Sequence, residues 1–108
     1  MFKKIAFSAL CAAVAFTSIG AAYAKDLKVA SNTTFPPFEF VNSKTNEITG
    51  FEMDLIKAMG KQAGYNVIIQ NMGFDGIIPG ILAGTVDVGA SGISITAERQ
   101  KKVLFTDP

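Results

Sequence analysis

Histidine and tryptophan are absent from the 108 residues, and cysteine occurs once, at Cys11. Without histidine there is no Ser-His dyad and no imidazole ligand for zinc. A single cysteine excludes an intramolecular disulfide and a cysteine-rich metal site. Charge of one sign is lacking as well: ten Lys and Arg stand against nine Asp and Glu, and no block of like charge occurs. Nucleic-acid binding therefore has no electrostatic footprint. The chain also carries no phosphate loop, no dinucleotide fingerprint, no internal repeat and no low-complexity stretch.

What is present begins with a leader. Lys3 and Lys4 precede an uncharged apolar run from Ile5 to Ile19, and Ala22-Tyr23-Ala24 offers the small-x-small pattern of a signal peptidase site. The run is short and rich in Ala and Ser, so residues 1–24 are expected to be a signal peptide rather than an anchor helix. Cys11 follows Leu10 in the middle of the run, where a lipoprotein cysteine does not sit. Cleavage removes the only thiol together with Lys3 and Lys4, leaving eight basic against nine acidic residues, a net charge of −1. An exported chain this small has neither disulfide nor metal to support its core, and no cofactor is indicated.

From Lys25 onward, short β-type runs alternate with helical patterns, the mark of an α/β chain. Leu27–Ser31 reads as a first strand. Pro36-Pro37 excludes a helix in Phe35–Phe40, and the polar stretch Asn42–Thr49 reads as a turn between two short strands. Phe51–Ala63 carries Phe51, Leu55, Met59 and Ala63 at a spacing of four, predicting a helix with that stripe against a sheet. Glu52 and Asp54 in its first turn, Lys57 and Lys61 later, and Gly64 beyond it fit the helix direction. Asn66–Gln70 is a second strand. Asp75 is expected to cap a second helix to Ala83, ended by Gly84, with Pro79 near its start. Val86–Ala90 is a third strand, and Thr96 caps a third helix through Lys102. The resulting β-α-β-α-β order gathers the carboxyl ends of parallel strands at one edge. Ligands bind at such an edge, so Ser31–Phe40, Asn71–Asp75 and Ser91–Thr96 are expected to converge.

Two constellations at that edge could carry chemistry. In Ser91-Gly92-Ile93-Ser94-Ile95-Thr96-Ala97-Glu98-Arg99, Gly92 permits close backbone approach, Ser91 and Ser94 offer hydroxyls and amides, and Arg99 offers a planar fork for a carboxylate. The alternative is an ordinary strand-loop-helix junction with a solvated Arg99, and spacing alone favours that alternative. Among the aromatics, Phe38 and Phe40 alternate as core residues do, whereas Phe35 and Phe74 border loops and could sandwich an aliphatic side chain. No two of the carboxylates Glu39, Glu52, Asp54, Asp75 and Asp87 have a spacing that fixes them as an acid–base pair, so catalysis is not indicated.

Four ordered blocks, Val29–Phe40, Gly50–Leu55, Gly76–Leu82 and Ser91–Arg99, resemble the polar amino-acid binding proteins of ABC importers, over essentially all of residues 26–108. Glutamine-binding and lysine/arginine/ornithine-binding types are the most similar. The resemblance implies a periplasmic-binding-protein-like type II lobe, so that residues 25–108 form an incomplete first lobe with the second lobe absent. It implies a periplasmic location, an amino-acid ligand, delivery to a membrane permease, and a monomer when complete. It also implies that Arg99 grips the ligand α-carboxylate together with Ser91, Gly92 and Ser94, while Phe35 and Phe74 flank the ligand side chain. Asn32 stands where relatives often have Asp facing the ligand's distal group. A neutral Asn favours neutral ligands such as glutamine over lysine or arginine.

Other readings are an enzyme on the same fold, of the cyclohexadienyl dehydratase or lytic transglycosylase kind, and an extracellular sensor lobe. A lobe open on one side leaves its polar contacts competing with water, so the chain alone is expected to bind amino acids poorly. The leader carries its own test. N-terminal sequencing of the exported protein is expected to begin at Lys25, and a product that retains Phe2–Ala24 contradicts the assignment.

Overall fold

The computed structural model describes residues 24–108, so the expected leader, Ala24 apart, lies outside the described residues. Strand β1 (Lys25–Ser31) runs first, followed by two short strands, β2 (Thr34–Phe35) and β3 (Glu39–Val41), and by β4 (Ile48–Thr49). Helix α1 (Phe51–Gln62) leads to β5 (Tyr65–Asn71). A 3-10 turn (Phe74–Gly76) runs into α2 (Ile77–Ala83), and β6 (Val88–Gly89) and α3 (Ala97–Gln100) complete the order.

The main sheet has the order β5-β1-β6 and is parallel throughout. β1 matches β5 from Lys25 against Tyr65 to Ser31 against Asn71. Its other edge meets β6 at Val29 against Val88 and Ala30 against Gly89. This pairing extends past the short strand, because Asp87 N–H donates to Lys28 O at 2.8 Å and Ala90 N–H to Ala30 O at 2.9 Å. The expected third strand, Val86–Ala90, is thus present as a ladder from Asp87 to Ala90, while Val86 N–H turns back to Gly80 O at 3.4 Å. A second sheet, β2-β3-β4, is antiparallel and brackets the polar turn that Asn42–Thr49 predicts.

Neighbouring residues of β1 serve opposite faces. Val29 packs with Met53 and Ala90, and with Ile56, Val67 and Ile69 around them, forming the core under α1. Ala30 packs with Ile77 and Val86, and with Ile81 and Ile93, forming the core under α2. Burial on both sides is confined to the last part of the strand, Val29-Ala30-Ser31, where consecutive residues rather than alternate ones are buried.

Three expectations are corrected. The stripe Phe51, Leu55 and Met59 does not face the sheet: these residues are 65%, 47% and 50% exposed. The sheet-facing side of α1 is Met53, Ile56 and Gly60, where the missing side chain of Gly60 lets the helix settle onto Val67 of β5. Second, Asp75 caps nothing. It lies inside the 3-10 turn, the cap position of α2 is Gly76, and no side chain bonds there. Third, α3 ends at Gln100, because Lys101 and Lys102 N–H groups turn to Glu98 O and Arg99 O in tighter turns. Gly84 ends α2 in the left-handed conformation, φ 79°, as expected of that terminator.

The start of α1 is closed by backbone. Phe51 N–H donates to Pro37 O at 2.9 Å and Glu52 N–H to Phe38 O at 3.0 Å, which satisfies two donors that would otherwise lack partners. Gly50 makes this possible. Its φ is 129°, and a Cβ there would meet the carbonyl groups of Phe38 and Pro37. Gly89 does similar service in packing, since an added Cβ would lie 2.7 Å from Ile77 Cγ2.

Gly50→Ala is accordingly expected to cost about 3 kcal/mol or more, combining backbone strain with a backbone collision. Gly89→Ala should cost about 1–3 kcal/mol by overpacking. Urea denaturation measures both, and wild-type midpoints would refute these packing assignments.

Candidate ligand site at the strand ends

The carboxyl ends of β1, β5 and β6 are tied to one another by hydrogen bonds. Met72 N–H donates to Ser31 O at 2.9 Å, Thr33 N–H to Asn71 Oδ1 at 3.2 Å, and Asn32 N–H to Ser91 Oγ at 2.9 Å. The three segments expected to converge therefore do so. Ser31, Thr33, Glu39 and Ser91 are all buried beneath this edge, a polar layer that continues the apolar core upward.

Arg99 is set by α3. Thr96 Oγ1 accepts the Arg99 N–H at 3.1 Å, a side-chain cap that fixes the first turn. The guanidinium donates from Nη1 to Ser94 O at 3.0 Å and lies 5.4 Å from the centre of the Phe74 ring. Arg99, Ser94 and Phe74 thus form one group, with a cation held against an aromatic face. A cavity of about 370 Å³ adjoins it, lined by Phe74, Arg99, Ile77, Ile78, Ile93 and Lys102 among others. Asn32 pairs instead with Ser91, and its Oδ1 accepts from Thr34 Oγ1 at 3.3 Å.

Phe35 is 57% exposed and stacks on Phe38, centroids 5.4 Å apart. Its recorded stacking partner is thus Phe38 rather than Phe74, and Phe38, 43% exposed, is not the core residue that alternation suggests. The buried residue of β3 is Glu39.

Gly92 holds φ 58°, and its N–H donates to the Glu52 carboxylate at 2.9 Å and 3.2 Å. The amide is committed within the protein, and a Cβ at Gly92 would face the buried Glu39 Oε1 at 3.7 Å.

Glu39 is the residue that sequence reasoning missed. It is 1% exposed, with Ser91 Oγ donating to its Oε1 at 3.5 Å, while its Oε2 is buried without a partner. Its pKa is raised from 4.5 to about 8, first by burial, then by the neighbouring Glu52 carboxyl, with the Ser91 bond opposing. Two carboxyls thirteen positions apart in different elements give no spacing signal. Their meeting depends on α1 starting against the Pro37 and Phe38 carbonyls.

The chemistry on offer is recognition of an anion and of an adjoining apolar group. Among the described residues, no cluster of three or more metal-ligating side chains occurs, and no helix is long and apolar enough to cross a membrane.

Residues 27–108 match the family of bacterial extracellular solute-binding proteins, family 3. The chain is 40% identical to ABC transporter arginine-binding protein 1 of Escherichia coli strain K12, covering 98% of this chain and 42% of that protein. It is 34% identical to a probable histidine-binding protein of Neisseria gonorrhoeae, covering 100% of this chain and 44% of that protein. An ancestral arginine-binding protein bound to arginine superposes with a TM-score of 0.76 at 43% identity, over 80% of this chain and 38% of that one. The arginine-bound form of domain 1 from TmArgBP gives 0.73 at 44% identity, over 77% and 65% of the two chains. This chain therefore spans under half the length of these curated relatives. With its parallel three-stranded sheet and the loops at its carboxyl edge, it belongs to the bacterial extracellular solute-binding proteins, family 3.

Proposed function

We propose that the chain supplies the first lobe of an extracytoplasmic binding protein that takes a polar α-amino acid and presents it to the permease of an ABC importer. The observation that carries this reading is the Arg99 guanidinium, fixed beside Ser94 O and over the Phe74 ring at the edge where three strands end. A planar fork at that position suits a carboxylate, and the ring beside it suits the aliphatic part of the same molecule. Removal of residues 1–24 and exposure of the mature chain outside the cytoplasmic membrane belong to the same proposal.

Binding without chemistry accords with the residues. The chain has no histidine. The acid with a raised pKa, Glu39, is 1% exposed and lies behind Ser91. A general acid must come within hydrogen-bond distance of the group it protonates.

The relatives and Asn32 point in different directions on the side chain recognised. The relatives above are named for arginine and histidine, whereas another ancestral arginine-binding protein structure holds glutamine. Asn32 brings no charge to attract a cation. The arginine-bound domain 1 of TmArgBP also tempers the expectation that one lobe binds poorly, since ligand is held there by a first domain.

Calorimetric titration of the chain with arginine, histidine and glutamine tests the reading. Arg99→Ala is expected to weaken any of them at least tenfold, because about 1.5–3 kcal/mol of charge-assisted hydrogen bonding is lost. Equal affinity in wild type and variant would end the carboxylate assignment. Asn32→Asp should raise arginine affinity relative to glutamine by about 1 kcal/mol, roughly fivefold, and an unchanged ratio would remove Asn32 from the site.

A further inference from the structure

We propose that Glu39 is held as the neutral acid in the interior, and that it and Glu52 form a clasp that positions the Ser91-Gly92 turn of the candidate site. The geometry is specific. Both oxygens of Glu52 accept the Gly92 N–H, at 2.9 Å and 3.2 Å, and Ser91 Oγ lies between Asn32 N–H at 2.9 Å and Glu39 Oε1 at 3.5 Å. The two carboxyls therefore hold adjacent residues of one turn from below.

An ionised Glu39 would leave Oε2 charged, buried and without a donor, an arrangement that costs far more than a buried neutral group. A proton on Glu39 removes that buried charge. The division of roles follows from position. Glu52 lies in the first turn of α1, where the helix dipole favours negative charge, and Glu39 lies in the interior, where burial favours the neutral form. The raised pKa of Glu39, about 8, agrees with this division. Glu52 is the charged group acting on it. The loop after β6 contributes the uncharged Ser91 and Gly92, β2 contributes Thr34 and Phe35, and β4 contributes Ile48 and Thr49.

Ionising Glu39 would set two negative charges together beneath the turn and strain the clasp, with the Ser91 bond alone favouring the ionised form. A ligand carboxylate at Arg99 would meet the same added charge, a consequence that rests on the function proposed above. The sign for stability is independent of any ligand. Glu39 is raised above its ordinary 4.5, so its contribution is fully present below pH 4.5 and is lost as the pH rises through about 8.

Infrared spectroscopy of the wild-type chain is expected to show a protonated-carboxyl band at pH 7 that disappears with a midpoint near pH 8. The Gly92 amide resonance should shift with the same midpoint in nitrogen-proton NMR spectra. Glu39→Gln should keep the fold, abolish the band, and flatten both the Gly92 titration and the pH dependence of the melting temperature. Where amino-acid binding is measurable, wild-type affinity should fall about tenfold from pH 7 to pH 9 beyond any fall in Glu39→Gln. Absence of the band at pH 7 overturns the proposal even if the variant fails to fold, and so does a Gly92 titration that survives Glu39→Gln. A titrating clasp in a chain that binds no amino acid would still support the clasp, since a lobe open on one side is expected to bind poorly.

Discussion

Helix α1 begins without a side-chain cap, and the groups that close its first turn come from elsewhere in the chain. Its first two amides reach the carbonyls of Pro37 and Phe38, which can approach only because position 50 has no Cβ. From this constraint several others follow. The Pro-Pro segment is pinned to the helix, β3 is brought alongside it, and Glu39 is carried inward to meet Glu52. Glu52 in turn reaches across to Gly92, forty positions away in sequence. One backbone closure therefore links the second sheet, the helix and the loop after β6.

Strand β1 provides the second anchor. Val29 and Ala30 are both fully buried, one toward α1 and the other toward α2. A parallel sheet covered in this way has its backbone polar groups satisfied sideways and its side chains buried above and below, so the remaining place for solvent and ligand is the end of the strands. The small side chains there are part of the same arrangement. Ala30, Gly89 and Ala90 keep the sheet thin enough for helices to pack closely, and Ser31 and Ser91 continue the layer with hydroxyls where it nears the edge.

Much of this was legible in the residues, for reasons that are local. Gly84 after α2 and Thr96 before α3 each act over a few positions, and each does what its chemistry suggests. The convergence of three strand ends followed from the alternation of strands and helices. What was not legible depends on contacts between elements. Two stripes on α1 are compatible with a helical period, and the choice between them was made by the fit of Gly60 against Val67. Phe51, Leu55 and Met59 looked like the core face because they recur at a spacing of four. The proximity of Glu39 to Glu52, and the pairing of Phe35 with Phe38, depend on how the Pro36-Pro37 turn folds back, and no periodicity encodes that.

Helix α1 thus has apolar residues on two sides, and its outer row extends along about 12 Å of its length at a rise of 1.5 Å per residue. A row of this kind contributes little to folding where it remains exposed, yet it adds to the sticky area of the surface. The two properties come apart at these positions. Phe51, 65% exposed, is the position where a polar replacement alters the protein's colloidal behaviour with least effect on its conformational stability, whereas Leu55 and Met59 are about half covered.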